Sequence, residues 1–313
     1  NNAARAARLC KVDLVSQVVG EFPKLQGIMG RIYSSVSGEP GPVSVAIEEH
    51  YRPAYSGGTL PETLTGAILG IGDKMDSICG CFSAGLLPTS ASDPYALRRQ
   101  GIGVVQIMLD KAFSFSLRAV IEESLKLFQE SRGQRIDGIA DKVYAFLQNR
   151  IAQLMVDEGF PKDIISAAMS VSVDDVPAVW NRVRALTSLK KTPEFEPLAI
   201  AFKRVVNIIR QAKQTAADDI GRAIDESLFQ NECEFVLLNQ FKGAETNVKN
   251  NLDNGYFDRA LRDIASLRPS IDTFFDGVMV LTDDVELRKN RLALLNQIAG
   301  LFENFADFSK IST

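Results

Sequence analysis

Apolar positions recur at helical spacing almost from one end of this chain to the other. They are clearest over residues 255–306. Phe257, Ala260, Leu261 and Ile264 fall at i, i+3, i+4 and i+7. After Pro269 the phase restarts with Ile271, Phe274, Phe275, Val278 and Met279. After Thr282 it restarts again with Leu287, Leu294, Leu295, Ile298, Leu301, Phe302 and Phe305. Each set paints one apolar stripe on a helix of period 3.6. The breaks carry chemical marks. Pro269 suits the first turn of a helix, where its missing N–H costs nothing. Asp283 followed by Glu286 resembles a capping box, with negative charge at the positive end of the helix dipole. The pattern predicts that the chain ends in a tight helical bundle.

Upstream the same period continues. Residues 3–19 predict a helix carrying Leu9, Val12, Leu14, Val15, Val18 and Val19, and PKLQGIMGRIY a second, shorter one. SSVSGEPGPVS (34–44) is a Gly- and Pro-rich loop, VAIEEHYRP a short helix stopped near Pro53, and YSGGTLPET (55–63) another loop. Residues 63–85 predict a helix rich in small residues. Asp93 as N-cap and Pro94 at the first helical position predict the next one, burying Leu97, Val104, Val105, Met108 and Leu109. Helices follow over 115–128, 136–156, 164–169 and 176–189, with GFPKD and SVDDVP as breaks. LKKTPEFEP (189–197) reads as a linker. Beyond it Phe195, Leu198, Phe202, Val205 and Ile209 open the last bundle, and Phe235, Leu238, Phe241, Val248 and Leu252 supply its next long helix. Two-residue alternation is scarce, so the fold class is all-α.

Composition changes this picture little. A chain of 313 residues holds about two domains and a sizeable core. Hydrophobic content of 46% and charged content of 24% are ordinary for a soluble globular protein. No apolar run approaches the roughly 20 residues that span a bilayer, so no membrane partner is expected. The first residues, NNAARAARLCK, read as mid-helix, which predicts that a preceding part is missing. Cys10, Cys79, Cys81 and Cys233 read as free thiols in a reducing cytoplasm rather than a disulfide scaffold. The net charge of −4 requires any contact with RNA to come from local basic faces, because the relevant field is screened within about 10 Å.

The run ALRDIASLRPSIDTFFDGVMVLTDDVELRKNRLALL resembles the C-terminal anticodon-binding helical domain of the bacterial glycyl-tRNA synthetase beta-subunit family and, more distantly, the DALR bundles of other synthetases. KVDLVSQVVGEFPKLQGIMGRIY (11–33) and SDPYALRRQGIGVVQIML (92–109) resemble that family's central HD-type domain. The resemblance keeps the family's order over nearly the whole chain and implies a C-terminal fragment. It divides the chain into the later part of an HD-type helical domain (1–113), a helical body or linker (114–190) and a DALR-like anticodon-binding bundle (191–313). It further implies ATP-dependent attachment of glycine to tRNA(Gly) by an alpha2beta2 hetero-oligomer in the cytoplasm. The amino-acid activation site, with ATP and magnesium, belongs to the alpha subunit, and no cofactor is expected in this chain.

The candidate chemistry fits a binding role. His50 is the only histidine. The resemblance puts His50 and Asp73 near where a phosphohydrolase of the HD type holds its metal, but two histidines and two aspartates are needed, so the site would be degenerate and no metal is expected. Asp73 and Asp76 are otherwise a solvated face. GAILGIGDK has the wrong glycine spacing for a dinucleotide loop and reads as close helix packing. Cys79 and Cys81 lack the second pair a zinc site needs. No P-loop, nucleophile elbow or synthetase signature is present, so no catalytic residue is assigned.

Lys203, Asn207, Arg210 and Gln214 fall at i, i+4, i+7 and i+11, one polar face opposite Phe202, Val205 and Ile209. Lys and Arg neutralise phosphates and Asn can pair with a base. KRVVNI, which includes Arg204, resembles the first helix of the family's anticodon domain. Arg288 and Lys289 are expected to face water and join the RNA surface, as are Arg98 and Arg99. Arg291 lies on an apolar stripe and should be paired, with Asp272 or Asp276 as natural partners. Tyr256 and Phe257 are candidates for stacking on unstacked bases. Two other readings stay open: an HD-type metal-dependent phosphohydrolase, and a structural scaffold that docks the alpha subunit.

Overall fold

The computed structural model describes residues 1–55, 57–89, 91–132, 138–215 and 223–312, without the side chains of 131–132 and 213–215. The predicted helix start at Ile136 and the side chain of Gln214 fall outside them. Among the described residues the chain is helices and turns, with no strand. It divides into two compact units, Asn1–Leu154 with Asp174–Pro177, and Met155–Val173 with Ala178–Thr313. The stretch 114–190 runs across both units. Its first part belongs to one unit and most of the rest to the other.

The first unit begins with α1 (Asn2–Leu9), a 3-10 turn Val12–Val15 and α2 (Gln17–Glu21), where the apolar period predicts one helix. Asp13 breaks it. Its carboxylate is buried and accepts the N–H groups of Gly27 (2.6 Å) and Gly30 (3.1 Å) at the start of α3 (Ile28–Val36), satisfying orphan donors with an anion. Ser16 then caps α2 by accepting the Val19 N–H. As a result Val12, Leu14, Val15 and Val18 are exposed rather than core.

α4 (Gly41–Glu49) and α5 (Leu64–Ser83) follow, the latter capped by the Thr63 hydroxyl on the Gly66 N–H. Ala6, Cys10, Val43, Ala46, Ile47 and Leu69 form one apolar cluster that joins α1, α4 and α5. The small residues of α5 allow the approach: a Cβ on Gly66 would stand 2.2 Å from a Glu49 carboxylate oxygen. α6 (Leu97–Asp110) starts three residues later than Pro94 predicts, after Ala96 in a left-handed conformation. Asp93 still serves it by accepting the N–H groups of Leu97 (2.8 Å) and Arg98 (3.0 Å). Ile107 takes the buried place predicted for Leu109, which is half-buried. α7 (Leu117–Arg132) and α8 (Ile139–Asp157) come next.

The second unit contains α9 (Lys162–Met169), α10 (Val176–Lys190, from Ala178 on), α11 (Phe195–Thr215), α12 (Glu232–Asp253), α13 (Phe257–Ala265), α14 (Arg268–Gly277) and α15 (Val285–Glu303). The rings of Phe202, Phe302 and Phe308 meet at its centre, with centroids 5.0–5.6 Å apart. The stripes of α11, α13 and α15 are buried as predicted. Three details differ. α14 ends at Gly277, so Val278 is extended and Met279 exposed. Asp284, not Asp283, caps α15, accepting the N–H groups of Glu286 and Leu287. On α12, Leu237 is buried while Phe235 is exposed and Leu252 half-buried.

Candidate nucleic-acid interface

α11 presents its buried line Phe202, Val205 and Ile209 to the core, which leaves the opposite side wet. Asn207 and Arg210 are exposed and Lys203 is half-buried on the same stripe. Arg210 also lines a cavity of about 380 Å³ with Phe202, Glu303, Asp307 and Ser309, so this cation lies beside two carboxylates. Arg204 is set apart. Its guanidinium lies over the Phe275 ring, 4.2 Å from the centroid, a cation–π contact that ties α11 to α14.

At the start of α15 the basic run is more engaged than its sequence suggests. Arg288 and Lys289, expected to face water, are both half-buried. Arg288 donates to the Thr282 carbonyl (2.8 Å) and Lys289 pairs with Glu286 (3.4 Å). Arg291 is buried, and its partner is Glu234 on α12 rather than Asp272 or Asp276. The guanidinium meets the two carboxylate oxygens at 2.8 and 3.2 Å and also donates to the Met279 carbonyl (2.9 Å). Asp272 pairs with Arg268 instead. Glu234 also accepts the N–H groups of Gln230 and Asn231, both at 2.9 Å. Burial works to raise its pKa, but Arg291 and these backbone donors win, and the carboxyl sits below its ordinary range. Asn290, fully buried, exchanges hydrogen bonds of 2.8 Å with both the N–H and the carbonyl of Asp225. Glu234 and Asn290 take these places although neither stands out in the apolar pattern of the sequence. The spacing of Asn231 and Glu234 at a helix start was the signal for the former.

Of the stacking candidates, Tyr256 is half exposed with Arg259 4.6 Å from its ring centroid. Phe257 is buried against Phe305 and is unavailable to a base.

In the first unit, Arg98 is half-buried and donates to the Thr89 carbonyl, holding its own loop. Arg99 is exposed and lines a polar cavity together with Asp73. Asp73 pairs with Lys11. His50 is fully enclosed, its Nδ1 2.7 Å from the Ile47 carbonyl and its Nε2 buried without a partner. Burial pushes its pKa below 6.5. Among the described residues no group of three or more His, Cys, Asp or Glu is placed to hold a metal. On α11 the exposed Asn207 and Arg210, with the half-buried Lys203, set cationic and amide donors on one stripe, which is chemistry for holding an anion.

A family model described as glycyl-tRNA synthetase beta subunit matches residues 1–170, and one described as DALR anticodon binding domain matches residues 198–313. The chain belongs to the glycyl-tRNA synthetase beta-subunit family. Proteins named glycine–tRNA ligase beta subunit resemble it closely: 49% identity for that of Desulfatibacillum aliphaticivorans, over 100% of this chain, and 42% for that of Trichlorobacter lovleyi, over 99%. The chain spans 44% of the length of each of these relatives. α14, α15 and α11 from Leu198 onward fall in the part that matches the anticodon-binding domain. No described helix is long and apolar enough to cross a membrane.

Proposed function

We propose that this chain is the tRNA-holding part of a glycine–tRNA ligase beta subunit. Its second unit grips tRNA(Gly) in the anticodon region, chiefly through Lys203, Asn207 and Arg210. Arg288 and Lys289 add positive potential at the start of α15, and Arg204 mainly fixes α11 against α14. Glycine activation, with its ATP and magnesium, takes place on an alpha subunit in an alpha2beta2 assembly in the cytoplasm. The contribution to catalysis is positioning: binding energy far from the reacting atoms orients the acceptor end.

The observation that carries this reading is the wet stripe of α11, two exposed polar groups and a half-buried lysine, inside the segment that matches an anticodon-binding domain. The test is filter binding of tRNA(Gly) across a salt series. Lys203→Ala with Arg210→Ala is expected to weaken binding at low salt and to reduce the salt slope by roughly one unit per lost phosphate contact. Unchanged affinity and slope would refute it.

A second reading, a scaffold that docks the alpha subunit, is favoured by the first unit, where Val15 is 87% and Val36 84% exposed alongside Phe22 and Ile32. It predicts that Val15→Glu with Val36→Glu abolishes co-purification with the alpha subunit while tRNA affinity is kept.

A further inference from the structure

The first unit holds a second polar cavity, of about 290 Å³, that the anticodon-binding reading does not use. Lys11, Lys74 and Arg99 line it, together with Ser77 and a single carboxylate, Asp73. In a chain of net charge −4, three cations around one small cavity are a local inversion of sign. Asp73 is paired with Lys11, so one of the three is already neutralised. Lys74 is buried, with only 5% of its surface exposed, and its ammonium group is met by backbone carbonyls alone: His50 (2.9 Å), Arg52 (3.0 Å) and Gly70 (3.4 Å). A buried charge answered only by dipoles is poorly compensated. Arg99 is exposed at the rim and offers a planar fork of donors.

We propose that this cavity binds a phosphate monoester. Two cations remain after the Lys11–Asp73 pair is set aside, and a phosphate monoester carries roughly two negative charges near neutral pH. A backbone phosphodiester carries one. Arg99 takes two phosphate oxygens side by side, the Ser77 hydroxyl donates to a third, and Lys74 supplies the field from beneath. Burial holds the Lys74 pKa down at about 8, although the Asp73 carboxylate pulls it part of the way back up. The volume suits a phosphate with one small attached group. The phosphate can belong to a free mononucleotide or to the 5′ end of an RNA, and both present the same chemistry to the cavity.

The test is calorimetric titration of the whole chain at low salt with inorganic phosphate, with AMP and with the diester ApA. Saturable binding of phosphate and AMP is expected at a Kd of about 1 mM or tighter, with ApA at least about tenfold weaker. Arg99→Met, at an exposed position that leaves the core untouched, is expected to weaken AMP binding about tenfold or more. Asp73→Asn is expected to tighten it, because it removes the one carboxylate that lines the cavity and releases Lys11 from its ion pair, an outcome that loss of structure cannot produce. Absence of saturable phosphate and AMP binding, equal binding of ApA, or indifference to both substitutions would overturn the assignment. Comparison of 5′-phosphorylated with dephosphorylated tRNA then identifies the source. Loss of affinity on dephosphorylation, matched by an equal loss for phosphorylated tRNA when AMP competes or when Arg99→Met is introduced, places the RNA end in the cavity, and no loss leaves the free mononucleotide as its ligand.

Discussion

Arg291 sits on the apolar stripe of α15 and is tolerated there because both Glu234 carboxylate oxygens meet one edge of its guanidinium, at Nε and Nη2. Glu234 has a further task, accepting the first N–H groups around α12. Removing one member leaves the other buried and unpaired, so Arg291→Met is expected to destabilise the chain by about 3–5 kcal/mol in urea unfolding. Joining Glu234→Leu to it should recover part of that loss, and a double-mutant cycle with no coupling would refute the pairing. That Arg291 needs a partner is legible from its position in the apolar pattern. The partner's identity is not, because Glu234 lies 57 residues away and only the fold brings it near. His50 makes a second test. The unfolded imidazole takes up a proton near pH 6.5, while burial holds the folded one lower. Its contribution is therefore complete above pH 6.5 and is lost as pH falls. Glu234, also lowered, adds a further loss below about pH 4.5. His50→Gln should flatten the stability curve between those two values. The proton resonance of this sole histidine should titrate below pH 6.5, and an ordinary midpoint would contradict its burial.

At the scale of the element, the apolar period located the helices and misjudged some of their ends. The long stripes of α11, α13 and α15 were readable because each is anchored by several large side chains in phase. Residues 3–19 read as one helix because their apolar residues keep a helical phase. The pattern holds no sign that Asp13 turns inward to serve Gly27 and Gly30. Likewise Pro94 marks a plausible start, but Asp93 caps α6 from three residues further back than its position predicts. The small residues of α5 were read correctly as packing. Gly66→Val drives a side chain into Glu49, which already accepts the N–H groups of Glu62 and Thr63. A loss of roughly 1–3 kcal/mol is expected from such overpacking. Thermal unfolding of the variant measures it, and an unchanged midpoint would mean that α4 and α5 yield more easily than their contact implies.

For the whole molecule, the informative disagreement concerns where the second unit begins. A proline-bearing break at 189–197 reads as a linker, and the anticodon-domain match starts just after it. The physical unit reaches back to Met155. The C-terminal residues explain why. Asp307 donates its N–H to the Ala167 carbonyl (3.1 Å), and the Ser312 N–H meets Asp163 (2.9 Å). Phe308 and Ile311 are buried between these anchors. None of this shows in periodicity, because contacts between residues about 140 apart leave no local pattern. A fragment cut at 191 loses α9 and α10 and with them the Ala167 and Asp163 anchors, which loosens Ile311 and leaves Phe308 packed only on Phe202 and Phe302, where full burial of such a side chain is worth about 1.5–3 kcal/mol. Residues 191–313 are therefore expected to be less stable in urea unfolding than residues 155–313, by about 1.5–3 kcal/mol. If the shorter fragment grips tRNA(Gly) weakly while the longer one binds like the intact chain, α9 and α10 serve to hold the α11 stripe in shape. Equal stability of the two fragments would instead make the linker the true boundary.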